Sequence, residues 1–89
     1  MIETQVTIIN KLGLHARAAA KFVGCTSAFS SSIQAGTDGN MVDAKSIMSV
    51  MILAASQGSI VTIRCDGEDE AQAMTALEDL INAYFKEEQ

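Results

Sequence analysis

Thr4-Gln5-Val6-Thr7-Ile8-Ile9-Asn10-Lys11-Leu12-Gly13-Leu14-His15-Ala16-Arg17-Ala18-Ala19-Ala20-Lys21-Phe22-Val23 changes its period part-way along, and that change decides the fold class. Residues 4–9 alternate and are rich in β-branched side chains, so they read as a strand. Residues 10–14 break the alternation around Gly13. From Ala16 the chain is alanine-rich. Ala19, Phe22, Val23 and Thr26 recur at helical spacing, which predicts an amphipathic helix over residues 16–28, closed by Ser30-Ser31-Ser32.

The rest of the chain keeps mixing the two periods. Short strands near residues 32–37 and 40–43 flank Asp38-Gly39, a dipeptide suited to the positive φ angles of a tight hairpin turn. Ser46 is a candidate cap for a helix over residues 47–55, with Gly58 beyond it as a left-handed stop. Val61, Ile63 and Cys65 alternate with Thr62 and Arg64 in a fourth strand. Asp69 and Gln72 form a capping-box pattern before Ala73, Met74, Leu77, Leu80, Ile81 and Tyr84, predicting a last helix over about residues 70–85. The order β-α-β-β-α-β-α, with hairpin-type connections, predicts an antiparallel sheet covered by helices on one face, an α+β two-layer sandwich.

Eighty-nine residues suit one domain, residues 1–89, and a 48% apolar content supplies its core without disulfides. Cys25 and Cys65 fit no metal spacing and are too few for a secreted staple pattern, so a reduced, cytoplasmic compartment is expected. Met1-Ile2-Glu3 opens no cationic leader, and the most apolar run, residues 47–55, is too short to span a bilayer. The net charge of −5 argues against a nucleic-acid partner, and the strands lack the aromatic side chains that stack RNA bases. That charge is unevenly spread. Residues 1–65 carry five basic groups against three acids, whereas residues 66–89 carry eight acids against Lys86. Lys11, Arg17 and Lys21 all lie within six residues of His15, the only histidine, so the positive half is where an anion belongs.

His15 falls at the N-cap or first position of the first predicted helix. The first-turn amides of a helix have no partners within it, and the helix dipole leaves about half a positive charge there. A dianion on His15 would meet those donors, with the Arg17 guanidinium matching phosphate oxygens and Gly13 letting the backbone pass close by. Neutral imidazole is nucleophilic, and its N–P bond is labile enough to hold a phosphoryl group briefly and pass it on. The alternative is a surface or capping histidine without chemistry. A metal site has no second ligand at suitable spacing, and a hydrolase has no nearby Ser–Asp pair.

Lys45-Ser46-Ile47-Met48-Ser49-Val50-Met51 is the second informative stretch. Ser46 carries two readings, helix cap and phosphorylation site, and a phosphate there would sit on a helix N-terminus beside Lys45. Ile47, Met48 and Met51 belong either to the core or to a small exposed docking face, for which adaptable methionine is suited.

Gly13-Leu14-His15-Ala16-Arg17 with Ala19-Ala20-Lys21-Phe22-Val23 resembles the active-site segment of the HPr family, the histidine-containing phosphocarriers of the bacterial phosphotransferase system. The stretch from Lys45 to Met51 resembles that family's second signature, and Gln57-Gly58 and Asp66-Gly67-Glu68-Asp69-Glu70 follow the same pattern. The resemblance covers essentially the whole chain. It implies an open-faced β-sandwich of four antiparallel strands and three helices, needing no cofactor and no metal. It implies that His15 accepts phosphate from enzyme I and donates it to enzyme IIA domains, with Arg17 stabilising the anion. It implies that Ser46 is the site of an HPr kinase/phosphorylase, and that partners dock near Ala20, Ile47, Met48 and Met51 on a monomeric carrier. Ala18 stands where the family usually has proline. Both residues suit a first helical turn, but the difference leaves a nitrogen-related phosphocarrier as an alternative branch, against which Lys45-Ser46-Ile47-Met48 favours the sugar branch. A non-phosphorylated interaction module that merely keeps the fold is a separate alternative.

Overall fold

The computed structural model describes residues 1–86. Its elements run β1 (Ile2–Thr7), α1 (Ala16–Thr26), β2 (Ser32–Thr37), β3 (Asn40–Asp43), α2 (Ile47–Ile52), β4 (Ile60–Asp66) and α3 (Glu70–Asn82), followed by a single turn at Tyr84–Lys86. The four strands form one antiparallel sheet in the order β1-β4-β2-β3. The expected open-faced sandwich is therefore present, but only β2 and β3 are joined by a hairpin, in the register Thr37↔Asn40. The other antiparallel pairs, β1 with β4 and β2 with β4, are made by helical crossovers that return the chain to the sheet.

Alternation assigns the two faces of the sheet. Val61, Ile63 and Cys65 of β4 point to the helices and are buried, as are Ile33 and Ala35 of β2. α3 lies over β1 and β4, and α1 packs on both α2 and α3. Phe22, Leu77, Ile81 and Phe85 complete this layer, each at most 2% exposed. The open face is polar. Across it Glu3, Arg64, Gln34 and Asp43 fall in one row of paired positions. Arg64 donates from Nε and Nη2 to Glu3 Oε1 at 2.9 and 2.8 Å.

Several element ends differ from the sequence-based expectation, each for a local reason. β1 runs from Ile2 to Thr7 rather than over residues 4–9. Ile8, inward by the same alternation as Val6 and 1% exposed, bonds the turn before β4 instead, its amide donating to the Ser59 carbonyl at 2.9 Å and its carbonyl accepting from the Gly58 amide at 2.8 Å. α1 ends at Thr26, two residues early, where the Thr26 hydroxyl donates to the carbonyls of Val23 and Ala44. α2 stops at Ile52 rather than residue 55, since Ala54 already has a φ of +51°. Gly58, with φ +91°, is accordingly part of the turn into β4 and not a helix stop. α3 ends at Asn82 rather than residue 85, because Tyr84, Phe85 and Lys86 all have positive φ and fold Phe85 back into the core.

The capping box is also different. The Asp69 side chain makes no cap bond to α3. Its Oδ2 accepts from the Ser30 amide at 2.8 Å, and its Oδ1 accepts from the Ser31 amide at 2.9 Å and from the Ser31 hydroxyl. Glu70 bonds back instead, accepting from the Gly67 amide at 3.1 Å.

Candidate functional site

His15 is the N-cap of α1. Its backbone is extended, with φ −73° and ψ 177°, and its side chain makes no cap bond. The first intrahelical bond runs from the Ala19 amide to the His15 carbonyl at 2.8 Å, so the amides of Ala16, Arg17 and Ala18 lie at the open end of the helix. Arg17 is exposed on that same first turn, while Ala18 is completely buried. Ala18, where the family usually has proline, thus packs the start of the helix into the core.

A two-loop clamp holds His15 there. The Leu14 amide donates to the Ala55 carbonyl at 2.8 Å, and the Asn10 side-chain amide donates to the Gly13 carbonyl at 2.8 Å. Gln57 Nε2 reaches the Ile9 carbonyl at 3.1 Å, and the Gly58 amide reaches that of Ile8 at 2.8 Å. Gly13 has a φ of +66°, and a Cβ on it would overlap the Ala55 carbonyl and the Ser56 backbone. Here glycine is required twice over, by its dihedral and by close approach. The segment after α2 is thus the second wall of the site, and Ala55, Gln57 and Asn10 are residues that sequence reasoning gave no role. Their signal was faint, because backbone carbonyls carry the contacts.

The other sequence-predicted residues fall on the neighbouring surface. Ala20 is exposed one turn along α1. Ile47, Met48 and Met51 are exposed on α2, at 40%, 66% and 39%, which places them outside the core. Ile52 and Leu12, at 74% and 69%, add exposed apolar surface that was not foreseen. Only Val50 of α2 is fully buried. Ser46 is the N-cap of α2, its Oγ accepting from the Ser49 amide at 3.3 Å. The neighbouring Lys45 ammonium donates to the Phe29 carbonyl at 2.8 Å. A cavity of about 500 Å³ between α1 and α3 is lined by Lys21, Cys25, Leu80 and Lys86, and does not include His15 or Arg17. Among the described residues no cluster of side chains could hold a metal ion, and no helix is long and apolar enough to cross a membrane.

An exposed arginine and a helix N-terminus beside one histidine give this end of α1 the electrostatics that favour an anion over a cation. A family model described as the PTS HPr component phosphorylation site matches residues 2–83. The chain belongs to the HPr family. The phosphocarrier protein HPr of Xylella fastidiosa (strain Temecula1) is 53% identical over 88 residues, which is 99% of each chain. That of Neisseria meningitidis serogroup A is 49% identical over 87 residues, 98% of each chain. Among solved structures, HPr-C-His from Thermoanaerobacter tengcongensis superposes with a TM-score of 0.96 at 49% identity, covering 100% of both chains. A structure from the same organism described as an HPr dimer gives a TM-score of 0.78 at 49% identity, covering 98% of this chain and 100% of that one. The HPr family is a family of phosphocarriers of the phosphotransferase system, and the strand order and helix layer found here are those of its members.

Proposed function

We propose that this HPr-family chain is a phosphocarrier that takes a phosphoryl group onto His15 from phospho-enzyme I and gives it to enzyme IIA domains. The observation that carries this reading is the seating of His15 as N-cap of α1, beside the exposed Arg17. In the first step an imidazole nitrogen of His15 attacks phosphorus, and the bond from phosphorus to its donor breaks. The dianion then faces the Ala16, Arg17 and Ala18 amides and the helix dipole, and the Arg17 guanidinium can pair with its oxygens. In the second step the acceptor's nucleophile displaces imidazole, which leaves readily. No cofactor enters either step.

Ala20, Ile47, Met48 and Met51 supply the partner face, since α2 packs on the helix that carries His15. Ser46 is a regulatory acceptor for an HPr kinase/phosphorylase, placed so that its phosphate would add charge to that face without entering the core. The chain acts as a single-domain monomer in the cytoplasm, and a dimer by sedimentation would overturn the monomer. Incubation with enzyme I and labelled phosphoenolpyruvate tests the central claim. Label should appear in an acid-labile, alkali-stable linkage and be lost in His15→Ala. Absent label, or label surviving in that variant, ends the reading. A non-phosphorylated interaction module would bind partners equally with and without His15, and the intact pair of His15 and Arg17 speaks against it.

A further inference from the structure

We propose that Met48 and Met51 form a reversible oxidation site whose state controls docking on α2. The inference rests on the reading of α2 as part of the partner face. Met48 is 66% and Met51 39% exposed, whereas Met74 is 3% exposed and Met41 is half-buried. Met1 is also exposed, at 69%, but its amine pairs with Glu70 at the start of α3, it is not part of α2, and M48L/M51L retains it. Residues three and four apart share a helix face, so Met48 lies beside both Met51 and Ile52, and Met51 lies beside Ile47. Two thioethers therefore sit among exposed apolar side chains, where a hydroperoxide can reach them from solvent.

With hydrogen peroxide as oxidant, a sulfur lone pair attacks one peroxide oxygen and the O–O bond breaks. The second oxygen leaves as water after taking the proton of the first. Sulfur is oxidised by two electrons and the peroxide reduced by two. The product is a sulfoxide, which is polar where the thioether was apolar. The net charge is unchanged and α2 keeps its buried anchor, Val50, so the fold persists. A partner closing over the patch must then desolvate a sulfoxide oxygen that no apolar contact satisfies. The two thiols of a sulfoxide reductase supply the electrons and protons that remove the oxygen as water. Peroxide attacks thiolates, and burial pushes the Cys25 and Cys65 thiols up, which disfavours their reactive form relative to the exposed thioethers.

The test treats the intact protein with hydrogen peroxide, removes the peroxide with catalase, and reduces any oxidised cysteine with dithiothreitol, which spares sulfoxides. Peptide mass spectrometry should find the added oxygen at Met48 and Met51 before Met41 and Met74. The KM for phosphoryl acceptance from enzyme I should rise about tenfold with kcat little changed, and methionine sulfoxide reductase should restore it. In the double variant M48L/M51L, whatever its own starting rate, peroxide should change that rate by less than about twofold. The untreated protein reports on the carrier reading alone, and the treated-to-untreated ratio reports on the oxidation site. An unchanged KM in protein fully oxidised at both residues overturns the proposal, as does a loss that persists in M48L/M51L or resists the reductase.

Discussion

Asp69 shows how one side chain can be misread from sequence and still join two elements. Its place before a helix looks like a cap, but it ties the start of β2 to the start of α3 through Ser30 and Ser31. The Ser31 hydroxyl, then the Ser30 and Ser31 amides, hold its carboxyl down at about 2, from an ordinary value of 3.8. A depressed folded-state value stabilises the fold above the unfolded one, and that contribution is lost as pH falls through the folded one. Asp69→Asn should therefore unfold more readily than the wild type at pH 5–8, and the difference should shrink between pH about 4 and 2 in denaturant titrations. A gap that stayed constant over that range would assign the effect to geometry instead of charge. The helix opening at His15 was legible at this scale because a glycine and a histidine ahead of an alanine-rich run already mark a helix start. Asp69 was not, because its partners lie 38 and 39 residues away in sequence.

Between residues and the whole lie the loop that presents His15 and the helix that Ser46 caps. Gly13→Ala must place a Cβ against the Ala55 carbonyl at a φ of +66°. It should cost about 2 kcal/mol or more, read by chemical denaturation, and should impair phosphoryl acceptance at His15 beyond that loss of stability. Equal wild-type stability would mean that the loops 8–14 and 54–59 are not clamped as described. Ser46 separates two roles through two variants. Ser46→Ala removes the bond from the Ser49 amide and should cost about 1 kcal/mol. Aspartate is as good an N-cap, so Ser46→Asp should keep stability within about 0.5 kcal/mol while slowing transfer from enzyme I. Unchanged transfer kinetics in Ser46→Asp would leave the serine a cap and nothing more. Element types were readable from period. Element ends were not, because the chain leaves α2 and α3 through left-handed residues such as Ala54 and Tyr84, a conformation that alanine and tyrosine do not signal in sequence.

The molecule as a whole is a sheet with one dry face, and α3 seals it. Leu77 is completely buried in that layer. Leu77→Ala should cost about 3 kcal/mol and lower the Tm by roughly 12–24 °C, without changing which residue takes label from enzyme I. Cys25 and Cys65 are both free thiols, so a reductant should leave the Tm unchanged. The amino-acid order by itself determined the succession of strands and helices, the inward faces of β2 and β4, and the helix opening at His15. Those features depend on period, capping and backbone freedom, which act over a few neighbouring residues. Tertiary structure alone decided that β4 pairs with both β1 and β2, that residues 54–59 brace the histidine loop, and that the apolar side of α2 faces outward. Each of those depends on which distant surfaces meet, and a six-residue helix with one buried side chain has no pattern of its own to say which side will be covered.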